Sequence, residues 1–534
     1  MPNPLGIDRT RKTLAELEAP LARAFASART RDIDEQQVAV ARLADLATKL
    51  RAAQDLAAYA ATARGLHQEH AAVFAGKVAA EVTALVRDHG AEHGLSNADL
   101  PSDETQAFAR EALAEDRVRE IGRAIAQSRG RNDCPLDETL VLARDAARDF
   151  AESEVAPHAE HIHRNDELVP ESFLEKMAGL GYFGLSVPEQ YGGVEMGNVA
   201  MCITTEELSR ASLAAAGSLI TRPEILAKAL LAGGTEAQKL HWLPKIAAGE
   251  LMVGISVTEP DVGSDVAGVK CRAERATQDG VAGFSITGPK AWCTFAGRAD
   301  ILALLARTDP DPKKGARGLT LFIVPKPRSL GHEFEFTQPG GGRLVGKADA
   351  TPGYRGMHSF TLNFERWFVP AENVVGGEDG VGKGFFLQMG GFSAGRLQTA
   401  GRACGLGQAA LEKTAEYVAD RMQFGKPLIE YQLTQYKLGW MATQLAAARA
   451  ISYSAAAAMD EDERAAAPYA SQAKLLACRV AVAVTQEGQL LHGGWGYAEE
   501  YAISRYVVDA LVLPIFEGVE PILQLKVIGR ALLS

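Results

Sequence analysis

The 534-residue chain lacks several features, and each absence narrows what it can do. It has no C-x-x-C pair. Its six cysteines, Cys134, Cys202, Cys271, Cys293, Cys404 and Cys478, are scattered, which argues against a zinc site or a disulfide frame and suits a reducing compartment. It has no apolar run of about 18 residues, so no membrane span is expected. The first residues, MPNPLGIDRTRKTLAELE, contain no apolar core of signal-peptide length, and a cytoplasmic location is expected. It has no basic block: 56 Lys and Arg stand against 67 Asp and Glu, a net charge of -11, which makes it a poor nucleic-acid binder. What remains is globular, 47% hydrophobic and 23% charged, with chain enough for about three or four domains.

Hydrophobic period divides the chain into four segments. Residues 1–133 carry apolar residues at three- and four-residue spacing, as in the run from Gln54 and the run from Val78, and read as a helical extension closed by QSRGRNDCP. Residues 134–250 are helical again, with Asp137 as an N-cap. From 251 to 375 come short β-branched runs, among them those starting at Met252, Ile301, Leu319 and Phe360, separated by Gly, Pro and Asp. They predict an antiparallel sheet or small barrel. Residues 376–534 return to Ala-rich amphipathic helices. Helix, sheet and helix in separate blocks predict a multidomain α+β protein and not a doubly wound nucleotide fold.

Five motifs carry chemistry, and each also has a plain structural reading. Ser256 to Asp265, SVTEPDVGSD, ends a strand in a polar turn; alone it is an ordinary hairpin turn. Trp292-Cys293-Thr294 follows a Gly-Pro-Lys turn, and strand alternation predicts residues 292 and 294 on one face, a plate and a hydroxyl suited to a flat heteroaromatic ring. Otherwise they are a core Trp and an unrelated Thr. Arg421 to Gln432 ends one helix and starts another around Gly425 and Pro427, and a helix-end Arg is usually a solvated charge. Gln489 to Tyr497, QLLHGGWGY, is a glycine-rich helix end. Finally, Ile515-Phe516-Glu517-Gly518 sets one carboxylate among apolar residues. A carboxylate so placed loses solvation when substrate covers it, which strengthens it as a general base, and Gly518 leaves room for an acyl chain. The alternative is a surface Glu in a loop.

In this order and at these separations the motifs resemble the acyl-CoA dehydrogenase family, over residues from about 136 to 534. The resemblance implies FAD as cofactor and α,β-dehydrogenation of an acyl-CoA, with the α-proton going to Glu517 and the β-hydride to flavin N5. It implies flavin contacts from Ile255, Val257, Thr258, Ser264, Trp292 and Thr294. Arg421, Phe424, Gln432, Gln489, Gly493 and Gly494 would reach the FAD of a neighbouring subunit, so a homodimer or homotetramer is expected. Ser264 would also lie near the CoA pyrophosphate, and Arg396 and Gly518 would be substrate contacts. An electron-transferring flavoprotein would be the electron acceptor. Four departures stand out. Phe295 follows the Thr where the family often has Asn or Ser, Leu490 takes the usual Gln position beside Gln489, Val519 replaces a Thr, and Gly395 before Arg396 cannot be the base.

The long extension is similar to that of a family member acting on a short, branched dicarboxylic acyl-CoA. A dicarboxylic acyl group needs a cation at the far end of its pocket, and Arg222 in Thr221-Arg222-Pro223-Glu224 is the candidate; the alternative is a surface Arg capping a helix. Gly377 to Gly384 fits a phosphate loop but lacks the Ser/Thr and the leading strand. His158, His161 and His163 lack completing ligands, so no metal is expected. An acyl-CoA oxidase, a flavin monooxygenase and a non-catalytic acyl-CoA- or flavin-binding scaffold remain competing readings.

Overall fold

The computed structural model describes residues 5–63 and 65–534, which divide into two compact units, Met1–Asp145 with Thr399–Ser534, and Ala146–Gln398. In chain order the helices are α1 (Ile7–Glu16), α2 (Glu18–Ala28), α3 (Gln37–Thr62), α4 (Leu66–His89), α5 (Asp103–Ala112), α6 (Glu115–Gln127), α7 (Glu138–Phe150), α8 (Ala156–Arg164), α9 (Glu171–Gly179), α10 (Gly197–Ala211), α11 (Thr221–Gly233) and α12 (Glu236–Ala247). After the strands come α13 (Gly384–Asp420), α14 (Gln432–Glu461), α15 (Glu463–His492) and α16 (Ile503–Ala510). No described helix is long and apolar enough to cross a membrane.

The first unit is helical apart from one short hairpin, Met422–Gln423 against Lys426–Pro427. Two of its helices start at side-chain caps: Asp137 Oδ1 accepts from Leu140 N at 2.9 Å, and Asp462 Oδ1 from Arg464 N and Ala465 N at 3.0 Å. The N-terminal extension is built into the C-terminal bundle. Arg119 and Arg123 both donate to Gln435 Oε1, at 3.2 and 2.9 Å, and Asn132 Nδ2 donates to Ala442 O at 3.0 Å. Tyr469 of α15 donates to Asp55 of α3 at 2.6 Å, and burial pushes the Asp55 carboxyl up to about 6.

Helices α6 and α14 touch backbone to backbone. A Cβ at Gly122 would lie 1.8 Å from Gln435 O, and one at Gly439 2.1 Å from Val118 O. Neither neighbour is a side-chain tip that can swing away, so a methyl group there forces two helices apart. Gly122→Ala is therefore expected to cost about 1–3 kcal/mol, read as a lower urea midpoint at unchanged slope. An unchanged midpoint would mean that the two helices separate freely.

The second unit sets helices against a sheet. The strands are β1 (Val253–Ser256), β2 (Arg272–Gln278), β3 (Val281–Thr294), β4 (Ile301–Arg307), β5 (Leu319–Pro325), β6 (Glu333–Thr337), β7 (Arg343–Ala348) and β8 (Ser359–Pro370). They form one sheet in the order β1-β4-β2-β3-β8-β7-β6, with β5 paired to β4. The expectation of an antiparallel sheet or small barrel is corrected around β4: β1 runs parallel to it, Val253 opposite Ile301 through Ser256 opposite Leu304, and β2 also meets it in parallel at Arg272 opposite Arg307. The chain between β1 and β4 leaves the edge and returns as the β2–β3 hairpin, which makes room for a parallel neighbour. Apolar clusters cover two sides. One joins Leu226, Leu230, Leu243 and Ile246 of α11 and α12 to Val253, Ile301 and Leu321; the other fills the sheet with Phe284, Phe322, Leu344, Phe360 and Phe364.

Candidate active site

Strand β1 delivers Ile255, Val257 and Thr258 to a turn closed by Glu259 and Val262, which exchange backbone hydrogen bonds of 2.9 and 3.1 Å. Gly263 takes no left-handed angle; Pro260 and the Glu259–Val262 bridge make the turn. Val257 is buried, Ile255 and Thr258 are half-buried, and Ser264 is exposed. Glu259 is the residue that sequence reasoning missed here. Its buried carboxylate accepts from Lys270 N and Cys271 N, both at 2.8 Å, and from Lys290 Nζ at 3.0 Å, tying the turn to β3. A carboxylate satisfied on all sides holds a loop of fixed shape.

The expectation that residues 292 and 294 share one strand face is corrected. The β3–β8 register shifts between Lys290 and Cys293, and Trp292 takes φ 57°. The bulge breaks alternation, turns the Trp292 indole outward at 59% exposure and leaves Thr294 buried. Thr294 Oγ1 lies 3.1 Å from Ser359 Oγ of β8. Phe295 is buried with φ 66°.

In the same unit, Arg222 is not at the surface. It begins α11 and is 3% exposed, so the helix-capping surface alternative fails. Its guanidinium donates to Ser218 O at 3.3 Å, and no carboxylate among the described residues pairs with it; nearby Glu224 bonds Ser186 instead. The fully buried Thr221 hydroxyl and both ends of the fully buried Gln388 amide have no hydrogen-bond partner among the described residues. Gln388 is on α13, which packs closely on α11: a Cβ at Gly391 would lie 2.6 Å from Ile225 O. Arg396 is half-buried on α13, after the buried Gly395.

In the first unit, α16 ends at Ala510 and a tight loop follows. Phe516 N donates to Val512 O at 3.2 Å and Glu520 N to Pro514 O at 3.1 Å. At its tip, Glu517 and Gly518 have φ of 55° and 102°. The second angle suits glycine alone, and the first costs a Glu about 1 kcal/mol or more unless the surroundings hold it. They do. Fully buried Lys474 of α15 donates to Gly518 O at 2.6 Å. Fully buried Arg402 sits 4.7 Å over the Phe516 ring and donates to Thr399 Oγ1 at 2.6 Å. Glu517 is half-buried and Ile515 is exposed. A charged Lys474 amid Ala473, Leu475 and Leu476 was the sequence signal for this support.

A second place in this unit suits a phosphate-bearing ligand. A cavity of about 610 Å³ is lined by Tyr417, Arg421, Leu490, Gly493, Gly494 and Trp495. A Cβ at Gly493 or Gly494 would meet nothing, so the glycines leave open wall with accessible backbone beside a guanidinium. Phe424 and Gly425, with φ of 51° and 83°, turn the Met422–Pro427 hairpin, and Phe424 is 95% exposed at its tip. Gln432 is exposed at the start of α14. Gln489 donates to Gly496 O at 3.1 Å, closing its own loop, and does not line the cavity. A guanidinium beside open glycine backbone is a donor set suited to a phosphate ester such as that of FAD.

His158, His161 and His163 do not converge: His161 meets Glu167 at 3.1 Å and His163 is buried. Other residues do cluster. Ligand atoms of Asp166, His332 and His358 lie within 4.8 Å of one another. Asp166 Oδ1 already meets His358 Nε2 at 3.1 Å and Arg355 Nε at 3.3 Å, the bonding of an ion-paired carboxylate.

Three family descriptions match the chain: acyl-CoA dehydrogenase N-terminal domain over residues 137–250, middle domain over 254–367 and C-terminal domain over 382–533. The (2S)-methylsuccinyl-CoA dehydrogenase of Cereibacter sphaeroides is 42% identical over 399 residues, 75% of this chain and 70% of that protein. The mitochondrial isovaleryl-CoA dehydrogenase of Arabidopsis thaliana is 36% identical over 74% of this chain and 92% of its own. Among solved structures, butyryl-CoA dehydrogenase from Megasphaera elsdenii superposes with a TM-score of 0.68 at 32% identity, covering 75% of this chain and 100% of that one. A glutaryl-CoA dehydrogenase in complex with glutaryl-CoA gives 0.67 at 30%, covering 74% and 95%.

Proposed function

The chain belongs to the acyl-CoA dehydrogenase family, FAD-dependent oxidoreductases that desaturate acyl-CoA esters, and from that premise we propose that its substrate is a short, branched dicarboxylic acyl-CoA, methylsuccinyl-CoA, oxidised to mesaconyl-CoA. One observation carries the choice of a dicarboxylic ester: the Arg222 guanidinium is buried without a carboxylate among the described residues. A buried cation is costly unless a counter-charge meets it, and the distal carboxylate of the substrate supplies one. The unpartnered Thr221 hydroxyl beside it and the Gln388 amide on the neighbouring helix add donors for the same group. The 42% identity to a protein named for this reaction supports the reading.

In this proposal Glu517 takes the α-proton. Its loop, pinned at Gly518 O by Lys474, keeps the carboxylate in one place, which is what a weak carbon acid demands of its base. FAD, when bound, supplies the acceptor for the β-hydride. Thr258, Ser264, Trp292 and Thr294 would hold its ring system, with Ile255 and Val257 behind the turn. Arg421, Phe424, Gln432, Gly493 and Gly494 would hold the phosphates and adenine of a second copy's FAD. A homo-oligomer is supported by the exposed Met422, Phe424, Leu433, Leu490 and Tyr497, an apolar surface that another copy would cover. Gln489 donates one amide N–H to Gly496 O, which leaves its carbonyl oxygen for the same ligand. Electrons would pass on to an electron-transferring flavoprotein.

Anaerobic titration of the yellow protein with a panel of esters tests the substrate. Methylsuccinyl-CoA is expected to bleach the flavin fastest, ahead of butyryl-CoA and isovaleryl-CoA. Faster bleaching by either monocarboxylic ester would overturn the dicarboxylic reading, and peroxide formed at the turnover rate in air would mark an oxidase instead.

A further inference from the structure

No motif assigns work to residues 1–133, yet helix α3 reaches the segment that carries Glu517. Asp45 of α3 accepts from Arg479 of α15 at 2.9 Å, and the same guanidinium donates to Glu520 at 2.6 Å. Glu520 is three residues past the proposed base, and its backbone N–H closes the loop onto Pro514 O. Gln524, one helical turn further on, donates to the same Asp45 oxygen at 2.8 Å. Asp45 thus holds both ends of the stretch that follows Glu517.

Apolar contacts fix the same seam. Ala44, Leu475, Leu523 and Ile528 form one buried cluster, with residues from α3, from α15 and from the chain after the loop. A Cβ at Gly529 would meet the Val40 side chain at 2.5 Å, so the C-terminal stretch lies flush against α3. Leu475 is next to Lys474, whose ammonium grips Gly518 O. The strained pair Glu517–Gly518 is therefore held on one side by Lys474 and on the other by a chain of contacts that begins in the extension.

We infer that α3 of the extension is a positioning element of the active site: Asp45, through Arg479 and Glu520, sets the loop that presents Glu517. None of these three residues touches substrate in this account. They act by fixing the carboxylate, and the inference rests on Glu517 being the base as proposed above. A loop with two left-handed residues in succession relaxes when a tie is cut, and a base displaced by a fraction of an ångström loses rate while binding is spared.

The test is anaerobic stopped-flow reduction of the FAD-loaded protein by methylsuccinyl-CoA, with butyryl-CoA as a second probe. Asp45→Ala is expected to slow reduction by about 10- to 100-fold, with flavin content and the ester's dissociation constant within about twofold of wild type. An α-deuterated ester should show a larger isotope effect in the variant than in wild type. Asp45→Asn, which keeps an acceptor for Arg479 and Gln524, should recover most of the rate. If Asp45→Ala does not fold, Glu520→Gln, at the partly exposed end of the network, carries the same expectation. A wild-type reduction rate in whichever of the two folds overturns the inference, as does a loss of rate explained wholly by lost flavin or weaker ester binding. Glu517→Gln run alongside separates the two readings. If it reduces at the wild-type rate, the base assignment has failed; if it is dead while Asp45→Ala is normal, only the role of α3 has failed.

Discussion

Glu517→Gln is expected to yield a protein that keeps its yellow flavin and binds acyl-CoA but reduces about 10²- to 10⁴-fold more slowly, the range by which a positioned general base accelerates proton transfer. The substitution is chosen for what it leaves alone. Gln has the shape of Glu, so the loop keeps its contacts: Lys474 on Gly518 O, Arg402 over Phe516, and Glu520 N on Pro514 O. The φ of 55° at this position is no worse for an amide than for a carboxylate. Stability and cofactor content should therefore be unchanged, and the loss should fall on the chemical step, with kcat and kcat/KM reduced together. Glu517→Asp makes a graded companion. It keeps the charge and shortens the reach, so an intermediate loss is expected. Bleaching by Glu517→Gln at the wild-type rate would remove the base from this position and the proposed mechanism with it.

The second large effect is expected at Arg222. Met fills the space of the arginine stem and removes the charge. Against methylsuccinyl-CoA, Arg222→Met should lose about 2–4 kcal/mol of binding in the transition state, or about 30- to 1000-fold in kcat/KM. Against butyryl-CoA, which brings no distal carboxylate, it should lose little. The stability readout separates this from a structural role. An arginine that holds the fold through an internal ion pair destabilises the protein when removed, by about 3–5 kcal/mol for a buried pair. Arg222 has no such carboxylate among the described residues, so Arg222→Met should melt at or above the wild-type temperature. Equal losses on both esters, or a lower melting temperature, would return Arg222 to the scaffold.

The fold class was legible because hydrophobic period is a local signal. The β-branched runs at Met252, Ile301, Leu319 and Phe360 became β1, β4, β5 and β8, and the Ala-rich stretches on either side became helices. The parallel β1–β4 pair was not legible, since nothing in a strand's own residues records which way its neighbour runs. The candidate site divides in the same way. Motif order brought out Glu517, Trp292 and Arg421. The side chains that support them were hidden, because their partners are remote in sequence: Glu259 with Lys290, Lys474 with Gly518, Asp45 with Arg479. The bulge at Trp292 was invisible for another reason. It depends on a register slip against β8, which strand alternation assumes away. Arg222 read as an ordinary helix-start cation; only the packing around α11 put it inside.

The backbone-to-backbone seam of α6 on α14 also sets a schedule for synthesis. Arg119 and its acceptor Gln435 are 316 residues apart, so at typical translation speeds roughly 15–60 s separate the emergence of one from the other. Throughout that interval the first six helices leave the ribosome with the face that will meet α14 uncovered. That face waits for a partner made near the end of the message, an exposure of the kind that makes a large chain prone to aggregate before it is complete.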